Sequence, residues 1–256
     1  MALRTVSATR YVTPLREGGS LPAIVEADDE GLYVLKFRGA GQGAKALVAE
    51  IVAGELARAA GLAVPEIVRV ELDAELARAE PDAEIQELIK ASVGLNVALD
   101  YLPGSVTFDP VADKVDGRLA SAIVWLDAFV TNIDRSARNT NMLLWHRKLW
   151  LIDHGAALYF HHGADDFTAR ARDSFTQVKD HVLLAQAVGI EGADAELAAR
   201  LTPAVLREVL ALVPDEWLGA DPAARRAAYT GYLAARLAPP RPFIEEALRA
   251  RRALHL

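Results

Sequence analysis

The chain changes character along its length, and this change limits the folds that it can adopt. Short runs of β-branched and aromatic residues fill its beginning and are separated by glycine and aspartate turns. These runs predict an antiparallel sheet and are Arg10–Val12, Ala23–Glu26 and Tyr33–Phe37. After about residue 117, apolar residues recur at helical spacing instead. We therefore predict an α+β, bilobal fold with a small β-rich N-terminal lobe and a larger, mainly helical C-terminal lobe.

The same patterns predict further elements. Apolar residues at helical spacing predict a helix from about Lys45 to Ala60. A strand is predicted over Val93–Leu102, and the proline-glycine turn after it divides the chain into lobes 1–103 and 104–256. From about Ser174 we expect a helical tail, with breaks at the prolines Pro203, Pro214, Pro239 and Pro240.

Composition narrows the class of protein. The chain has 256 residues, a hydrophobic fraction of 52% and no cysteine, which suits one large domain or two small lobes with a real core. The lack of cysteine excludes disulfides, thiolate zinc sites, iron–sulfur clusters and cysteine nucleophiles. The first residues, MALRTVSATR, lack the apolar stretch of a secretion signal, and no run reaches the ~18 apolar residues of a membrane helix. We therefore expect a cytoplasmic protein with no membrane partner.

Charge and histidine content bear on the ligands. The formal net charge of -7 argues against general nucleic-acid binding, so we expect no direct nucleic-acid partner. A nucleotide stays open, because local basic groups bind phosphate within an acidic protein. Four histidines have spacings that do not match a zinc signature, so we expect no histidine metal site; they are His154, His161, His162 and His181.

A predicted β-hairpin is the most informative element. Its strands are Met142–Trp145 and Leu149–Ile152, joined by the three residues 146–148. Because the strands are antiparallel, the residues before the first strand and after the second emerge at the same end. Asn139 and Asp153 are therefore brought together although they are 14 positions apart, and Asp134 lies five residues before Asn139.

Residues of these types suit phosphoryl transfer. Two oxygen-bearing side chains at one strand end favour Mg²⁺, a hard cation that prefers carboxylate and amide oxygens together with phosphate. Asp134 beside them would accept a proton from an attacking hydroxyl. In the N-terminal half, Lys36 lies in an apolar strand, where a lysine needs a partner or a ligand, and Glu50 on the following helix is a candidate partner. The segment 16–20 lies between two strands and would fold over phosphates with its backbone amides.

With these residues in this order, the sequence resembles the HipA-like branch of the protein-kinase-like fold, in particular its short bacterial members that consist of the kinase core. The spacing from Asp134 to Asn139, combined with Ile152-Asp153, carries most of the resemblance. The C-terminal tail adds nothing specific. Other matching stretches are Pro14–Pro22, Tyr33–Phe37 with Glu50, Leu99–Gly104 and Leu151–Gly155.

The resemblance implies a role for each candidate residue. Lys36 would hold the α- and β-phosphates of ATP and pair with Glu50. Asp134 would be the catalytic base, and Asn139 and Asp153 would bind Mg²⁺. The remaining contacts to ATP would come from a phosphate lid, Gly18, Gly19 and Ser20, and from the backbone of a hinge that meets adenine, Leu99, Asp100 and Tyr101.

The sequence also departs from the family pattern. Asp134 is followed by Arg-Ser, where relatives commonly have Arg-His or Ala-His. The metal loop Asp153-His154-Gly155 lacks the phenylalanine of ordinary protein kinases. The chain is shorter than the HipA toxins and is expected to lack their N-terminal subdomain, which argues against an antitoxin partner and operator DNA. A glycine-loop serine of those toxins is autophosphorylated, and whether Ser20 is equivalent stays open.

Simpler structural interpretations exist for the candidate residues. Lys36 would keep an edge strand soluble, and Gly18-Gly19 would form only a hairpin turn. Asp134 and Asn139 would cap turns, since both residue types favour loops. The agreement of these positions with Asp153 favours the kinase interpretation.

Neighbouring residues leave alternatives open. Glu55 lies on the same helix as Glu50, which fits the family register better. Asp127 would be a satisfied buried carboxylate or would orient the catalytic loop. Arg135 and Arg138 would contact substrate phosphate or pair with carboxylates, and the sequence does not separate these roles.

We therefore predict an ATP- and Mg²⁺-dependent phosphotransferase, a HipA-like serine/threonine kinase that moves the γ-phosphate to a hydroxyl, expected on a protein. A small-molecule or phosphoinositide acceptor stays open within the same class. The alternative from another class is a nucleotide-binding pseudokinase with a regulatory role, which the unusual Arg-Ser after Asp134 favours. The complete set of candidate catalytic residues argues against it.

Overall fold

The strand-type segments at the start of the chain form a closed barrel in the computed structural model, which describes residues 2–15, 21–163 and 167–254. The barrel strands are β1 (Thr5–Pro14), β2 (Ala23–Ala27), β3 (Leu32–Lys36), β4 (Ile67–Leu72) and β5 (Gly94–Asp100). Their order around the barrel is β1-β2-β3-β5-β4. Its interior is a separate apolar cluster that includes Val25, Leu35, Val70 and Ala98.

The barrel closes through a parallel pair that the sequence pattern did not predict. Residues Thr5–Ser7 of β1 pair in parallel with Arg69–Glu71 of β4, whereas Ala8–Pro14 pair with β2 in the expected antiparallel sense. Register shifts lie between Ala8 and Arg10 and between Tyr11 and Thr13. Such irregularities bend a strand, and this lets one long strand serve two neighbours.

The first helix connects the barrel to the other helices. The helices are α1 (Ala44–Ala59), α2 (Ala83–Ala91), α3 (Gly117–Phe129), α4 (Ile190–Arg200), α5 (Pro203–Leu210), α6 (Pro222–Leu237) and α7 (Pro242–Ala253). Every residue of α1 from Leu47 to Ala57 is buried, including Glu50, because α1 packs on the barrel and on the C-terminal helices together. The predicted helix is confirmed, and its apolar residues share a core with residues after 104. The division at 103/104 stays a prediction.

The predicted hairpin is present, with a shorter turn. A small sheet is formed by β6 (Val106–Thr107), β7 (Met142–Trp145) and β8 (Lys148–Leu151) in the order β6-β7-β8. Lys148 pairs with Trp145, so only His146 and Arg147 form the turn, not the three residues predicted. Both turn residues have positive φ, 47° and 63°, as a two-residue hairpin turn requires for its twist to match the strands.

The helical tail begins later than predicted. Residues 174–189 form no α-helix but include two short 3₁₀ turns, Thr176–Asp180 and Leu184–Gln186. Each turn buries a single apolar side chain, Val178 or Leu184, so the segment follows the surface of the core and lacks a continuous helical face. The predicted proline breaks separate helices, and Pro203 is the first residue of α5 after the cap Thr202. No helix among the described residues has the length and apolarity to cross a membrane.

Candidate active site

A cavity of about 1070 Å³ lies between the barrel and the hairpin. This volume is just above the range of about 300–1,000 Å³ that is typical of small-molecule sites. Several predicted site residues line it: Lys36, Leu99, Asp100, Tyr101, Asn139 and Asp153. Glu50 and Asp134 are not lining residues, and each instead contacts one, Lys36 and Asn139 respectively.

An ion-pair network joins strand β3, helix α1 and the loop after β8. Lys36, on β3, has its Nζ 2.9 Å from Oε2 of Glu50, so the predicted pair is present. Lys36 also donates a hydrogen bond to Oδ1 of Asp153. The side chain of Glu50 is fully buried, that of Lys36 is 12% exposed, and that of Asp153 is 41% exposed. The network is therefore closed on the α1 side and open towards the cavity.

The electrostatics keep both buried members of this network charged. Burial alone would lower the pKa of Lys36, but the charges of Glu50 and Asp153 outweigh it, so the pKa lies above its ordinary value. Burial would raise the pKa of Glu50, but the charge of Lys36 and a hydrogen bond from His154 lower it below its ordinary value. Glu55 instead pairs with Arg58, so the choice between the two glutamates falls on Glu50.

Asp134 lies on the loop before β7 and accepts two amide hydrogen bonds on Oδ2. Nδ2 of Asn139 donates at 2.7 Å and Nδ2 of Asn141 at 3.2 Å. Partial burial is the main cause of a raised pKa of Asp134, to which the charge of Asp153 adds, while the two amides oppose it. The side-chain nitrogen of Asn139 is the atom that donates to Asp134, so its side-chain oxygen is left for another ligand.

Asn141 is a site residue that the sequence reasoning missed. Its backbone is left-handed, with φ of 48°, and Asp153 at the opposite strand end has φ of 54°. Asn and Asp adopt this conformation more readily than other non-glycine residues. Ile152 N–H donates to the carbonyl of Asn141 at 3.0 Å, which extends the hairpin to the point where both chains turn away. An asparagine and an aspartate flanking a hairpin were the available signal.

A second buried cluster lies beneath the loop that carries Asp134. Asp127 of α3 accepts from Nε of Arg135 at 2.6 Å, and its other oxygen accepts from Nδ2 of Asn132 at 2.9 Å. Nε2 of His181 lies 2.9 Å from the same carboxylate. Burial would raise the pKa of Asp127, but Arg135 and His181 outweigh it and lower the pKa. Asp127 is thus a satisfied buried carboxylate that also orients the loop.

The structure separates the roles that the sequence left open for two arginines. Arg135 is fully buried, and its Nη1 donates to the carbonyl of Asn141 in addition to the Asp127 contact. Arg138 is exposed and lines the cavity beside Asn139. Arg135 therefore steadies the loop, and only Arg138 is placed to meet a ligand.

The predicted adenine hinge lies among the described residues, whereas the predicted glycine loop does not. Leu99, Asp100 and Tyr101 line the cavity, but the N–H groups of Asp100 and Tyr101 already donate to the carbonyls of Glu66 and Leu32, at 2.8 and 2.9 Å. These two N–H groups are therefore already engaged, and Leu99 lies within β5, between its partners Val34 of β3 and Ile67 of β4. Contact of this segment with adenine stays a prediction. The predicted phosphate lid, Gly18, Gly19 and Ser20, lies outside the described residues.

The histidines form no metal cluster among the described residues. No group of three or more His, Cys, Asp or Glu side chains there is arranged to hold a metal ion. Nδ1 of His161 lies 2.9 Å from the hydroxyl of Tyr229, and its Nε2 lies 3.1 Å from Nε2 of His162. Burial is the main cause that lowers the pKa of His161 to about 3, and burial also lowers the pKa of His162. Both histidines are therefore neutral near pH 7.

Comparisons with known proteins agree on a kinase-like fold. The chain is similar over 98% of its length to a Helicobacter pylori proinflammatory kinase, CtkA, with 12% identity, full coverage (100%) of that chain and a TM-score of 0.59. It is similar over 98% of its length to a Golgi casein kinase, with 13% identity, 72% coverage of that chain and a TM-score of 0.50. No curated protein sequence matches it. The family model of HipA-like kinases matches residues 9–234, and the chain therefore belongs to the HipA-like kinase family.

Proposed function

We propose that the protein is an ATP- and Mg²⁺-dependent phosphotransferase that moves the γ-phosphate of ATP to a serine or threonine hydroxyl of a protein. The observation that carries this proposal is the network of Lys36, Glu50 and Asp153, which opens onto the cavity that Asn139 also lines. Membership of the HipA-like kinase family supports it. A nucleotide would lie between the barrel and the hairpin.

Lys36 suits the role of a phosphate ligand. Its raised pKa keeps the ammonium group protonated at physiological pH. Glu50 lies behind it and holds the ammonium at the cavity wall, so the lysine does not have to be desolvated again when an anion binds. A lysine fixed in this way contributes positive charge where the α- and β-phosphates would lie.

Asp153 and Asn139 suit a hard divalent cation. Asp153 uses Oδ1 for Lys36, and its 41% exposed side chain leaves the second oxygen open to the cavity. The side-chain oxygen of Asn139 is a second candidate ligand, because the side-chain nitrogen is the atom that donates to Asp134. Mg²⁺ binds through one or two protein oxygens together with substrate phosphates, and when bound it would neutralise charge that develops on the β- and γ-phosphates.

Asp134 suits the role of general base. In the reaction, the acceptor hydroxyl oxygen forms a bond to the γ-phosphorus, the bond between this phosphorus and the β–γ bridging oxygen breaks, and ADP leaves. The hydroxyl proton passes to Asp134, whose Oδ2 is held by the amides of Asn139 and Asn141. Partial burial raises the pKa of Asp134, which makes the carboxylate a better proton acceptor.

The test is transfer of label from γ-labelled ATP in the presence of Mg²⁺, with phosphorylated residues mapped by mass spectrometry. Wild-type protein should transfer label to itself or to added protein substrates, and D134N and D153N should lose at least about 10²–10³-fold of the rate. The control is E87Q, since Glu87 pairs with Lys90 on the exposed surface of α2. Wild-type rates in D134N and D153N would contradict the proposal, and so would wild-type protein that binds Mg·ATP without transfer.

A further inference from the structure

His154 is buried between the metal loop and helix α1, and the proposed reaction has no use for it so far. Its backbone N–H donates to Oε1 of Glu50 at 3.1 Å. Nδ1 of its imidazole lies 3.4 Å from the same oxygen. A carboxylate only accepts hydrogen bonds, so Nδ1 is the nitrogen that carries the hydrogen.

The imidazole of His154 also lies close to a glycine of α1. Gly54 lies one turn after Glu50, and a Cβ built at this position would lie 3.6 Å from Nδ1 of His154. The same Cβ would come within 2.5 Å of Cδ1 of Ile67, which is closer than real contacts allow. The absence of a side chain at position 54 therefore lets α1 lie directly against Ile67 of β4, while the imidazole lies at an ordinary contact distance from the same turn of the helix.

The contacts of His154 divide the work of the Glu50 carboxylate between its two oxygens. Oε1 accepts from the two N–H groups of His154, while Oε2 lies 2.9 Å from Nζ of Lys36. With Oε1 fixed, the carboxylate cannot rotate without losing hydrogen bonds in a fully buried place, which is unfavourable. Because His154 directly follows Asp153, the same contact also fixes the backbone of the metal loop relative to α1.

We propose that His154 is a positioning residue of the phosphotransfer site, whose Nδ1–H holds the Glu50 carboxylate towards Lys36 and ties the metal loop to α1. This inference rests on the proposed function. His154 would lie behind Lys36 and Asp153, which would contact the nucleotide and its metal. His154 itself would touch neither the nucleotide nor the metal. A shift of α1 would then also shift the metal loop, because His154 joins the two.

A packing role for the same side chain makes a different prediction, and two amide variants separate the two. The side-chain nitrogen of asparagine falls where Nδ1 of histidine lies, so H154N keeps the donor to Glu50 but leaves space unfilled. The nitrogen of glutamine falls near Nε2, which is buried without a hydrogen-bond partner among the described residues, so H154Q fills the volume and misplaces the donor. Positioning favours asparagine, and packing favours glutamine.

The experiment measures Mg·ATP affinity by calorimetry, together with kcat and KM for phosphotransfer, in the wild type, H154N and H154Q. H154N should stay close to the wild type, and H154Q should lose about 10–100-fold in affinity and in kcat/KM, as is typical when a residue behind a ligand group is changed. Free energies of unfolding should rank the other way, with H154N the less stable variant. Equal affinities in the two variants, or tighter binding by H154Q, would overturn the proposal.

A nucleotide-free measurement keeps this proposal separate from the proposed function. If wild-type protein does not bind Mg·ATP, the proposed function fails, but the contact between His154 and Glu50 is still measured by a double-mutant cycle on stability with E50Q. The proposal then expects the effects of H154Q and E50Q on the free energy of unfolding to be non-additive. In the H154N background, which keeps the contact, E50Q should lower the free energy of unfolding by as much as it does in the wild type. Additive effects of H154Q and E50Q would overturn it.

Discussion

Two buried carboxylates in different regions of the molecule have similar partners. Glu50 on α1 and Asp127 on α3 are both fully buried, and each faces one basic side chain and one histidine. Around Glu50 these are Lys36 and His154, and around Asp127 they are Arg135 and His181. In both clusters the partners lower the pKa of the carboxyl group. In composition the two clusters are close to equivalent.

They differ in their access to solvent. Lys36 is shared with Asp153, whose side chain is 41% exposed and lines the cavity, so the Glu50 cluster ends at a surface where a ligand fits. Arg135 has no exposure, and its remaining contact is the carbonyl of Asn141. The same arrangement of charges therefore suits a binding site where one member is open to a cavity, and suits holding a loop in place where all are enclosed.

The two histidines use opposite nitrogens. His154 donates from Nδ1 to Glu50, because a carboxylate only accepts. Nδ1 of His181 instead accepts from the N–H of Leu183 at 3.0 Å, so its hydrogen is on Nε2, which faces Asp127. This opposition makes the clusters distinguishable by substitution with asparagine and glutamine.

The largest effect on stability is expected from D127N. It leaves the Arg135 guanidinium buried without a carboxylate, and breaking a buried pair in this way costs about 3–5 kcal/mol of unfolding free energy. Chemical denaturation of the wild type and D127N measures it, with E87Q as an exposed control. A loss below about 1 kcal/mol, the range of surface pairs, would mean that the cluster is not enclosed.

E50Q is expected to affect ligand binding more than folding. Lys36 keeps Asp153 as a partner beside the cavity, so the loss of unfolding free energy should be about 1–3 kcal/mol, smaller than for D127N. Mg·ATP affinity should fall about 10–100-fold, because Lys36 is no longer held at the cavity wall. Calorimetry and denaturation on the same samples check both values. Equal destabilisation by E50Q and D127N would remove the distinction between the clusters.

Acid should act on both clusters in the same direction. The pKa of Glu50 and that of Asp127 lie below their ordinary values in the folded protein, so the unfolded chain binds more protons as the pH falls. The stability that these groups contribute is present above the unfolded pKa of about 4 and is lost as the pH falls towards the folded values. The unfolding free energy of D127N should therefore decline less steeply between about pH 5 and pH 2 than that of the wild type. Parallel curves would contradict the lowered pKa of Asp127.

The smallest effect is expected for H181Q. Glutamine presents its amide nitrogen near the place of Nε2 and keeps the donor to Asp127, whereas asparagine does not reach it. H181N should therefore be less stable than H181Q by about 1 kcal/mol, the value of one hydrogen bond. This order is the reverse of the affinity order expected at position 154. If asparagine were the better replacement at both positions, the assignment of the two ring nitrogens would be wrong.

Local patterns predicted much of this molecule. The hairpin brings Asn139 and Asp153 to the lining of one cavity, because antiparallel pairing is determined by two adjacent segments. The pair of Lys36 and Glu50 followed from a lysine in an apolar strand and a helix directly after it. In both cases the partners lie on neighbouring elements, so that the spacing along the chain is informative.

Most of the contacts that were missed join segments far apart in sequence. The pairing of β1 with β4 spans more than sixty positions, from Thr5 to Arg69, and no periodicity encodes it. His181 meets Asp127 across 54 positions, and His154 meets Glu50 across 104. The 3₁₀ turns after residue 174 follow the surface of the core, which a helical propensity does not describe.

In the proposed function, the open cluster binds a magnesium nucleotide and the enclosed cluster only supports the loop. The most direct measurement is the melting temperature of wild type, D153N and H181Q with ATP, with Mg²⁺, and with both. At a ligand concentration of 100 times Kd, binding stabilises by about 2.7 kcal/mol, which is several degrees for a chain of this size. We expect this rise in the wild type and in H181Q with both ligands, and none in D153N. No rise in the wild type, or an undiminished rise in D153N, would contradict nucleotide binding at the open cluster.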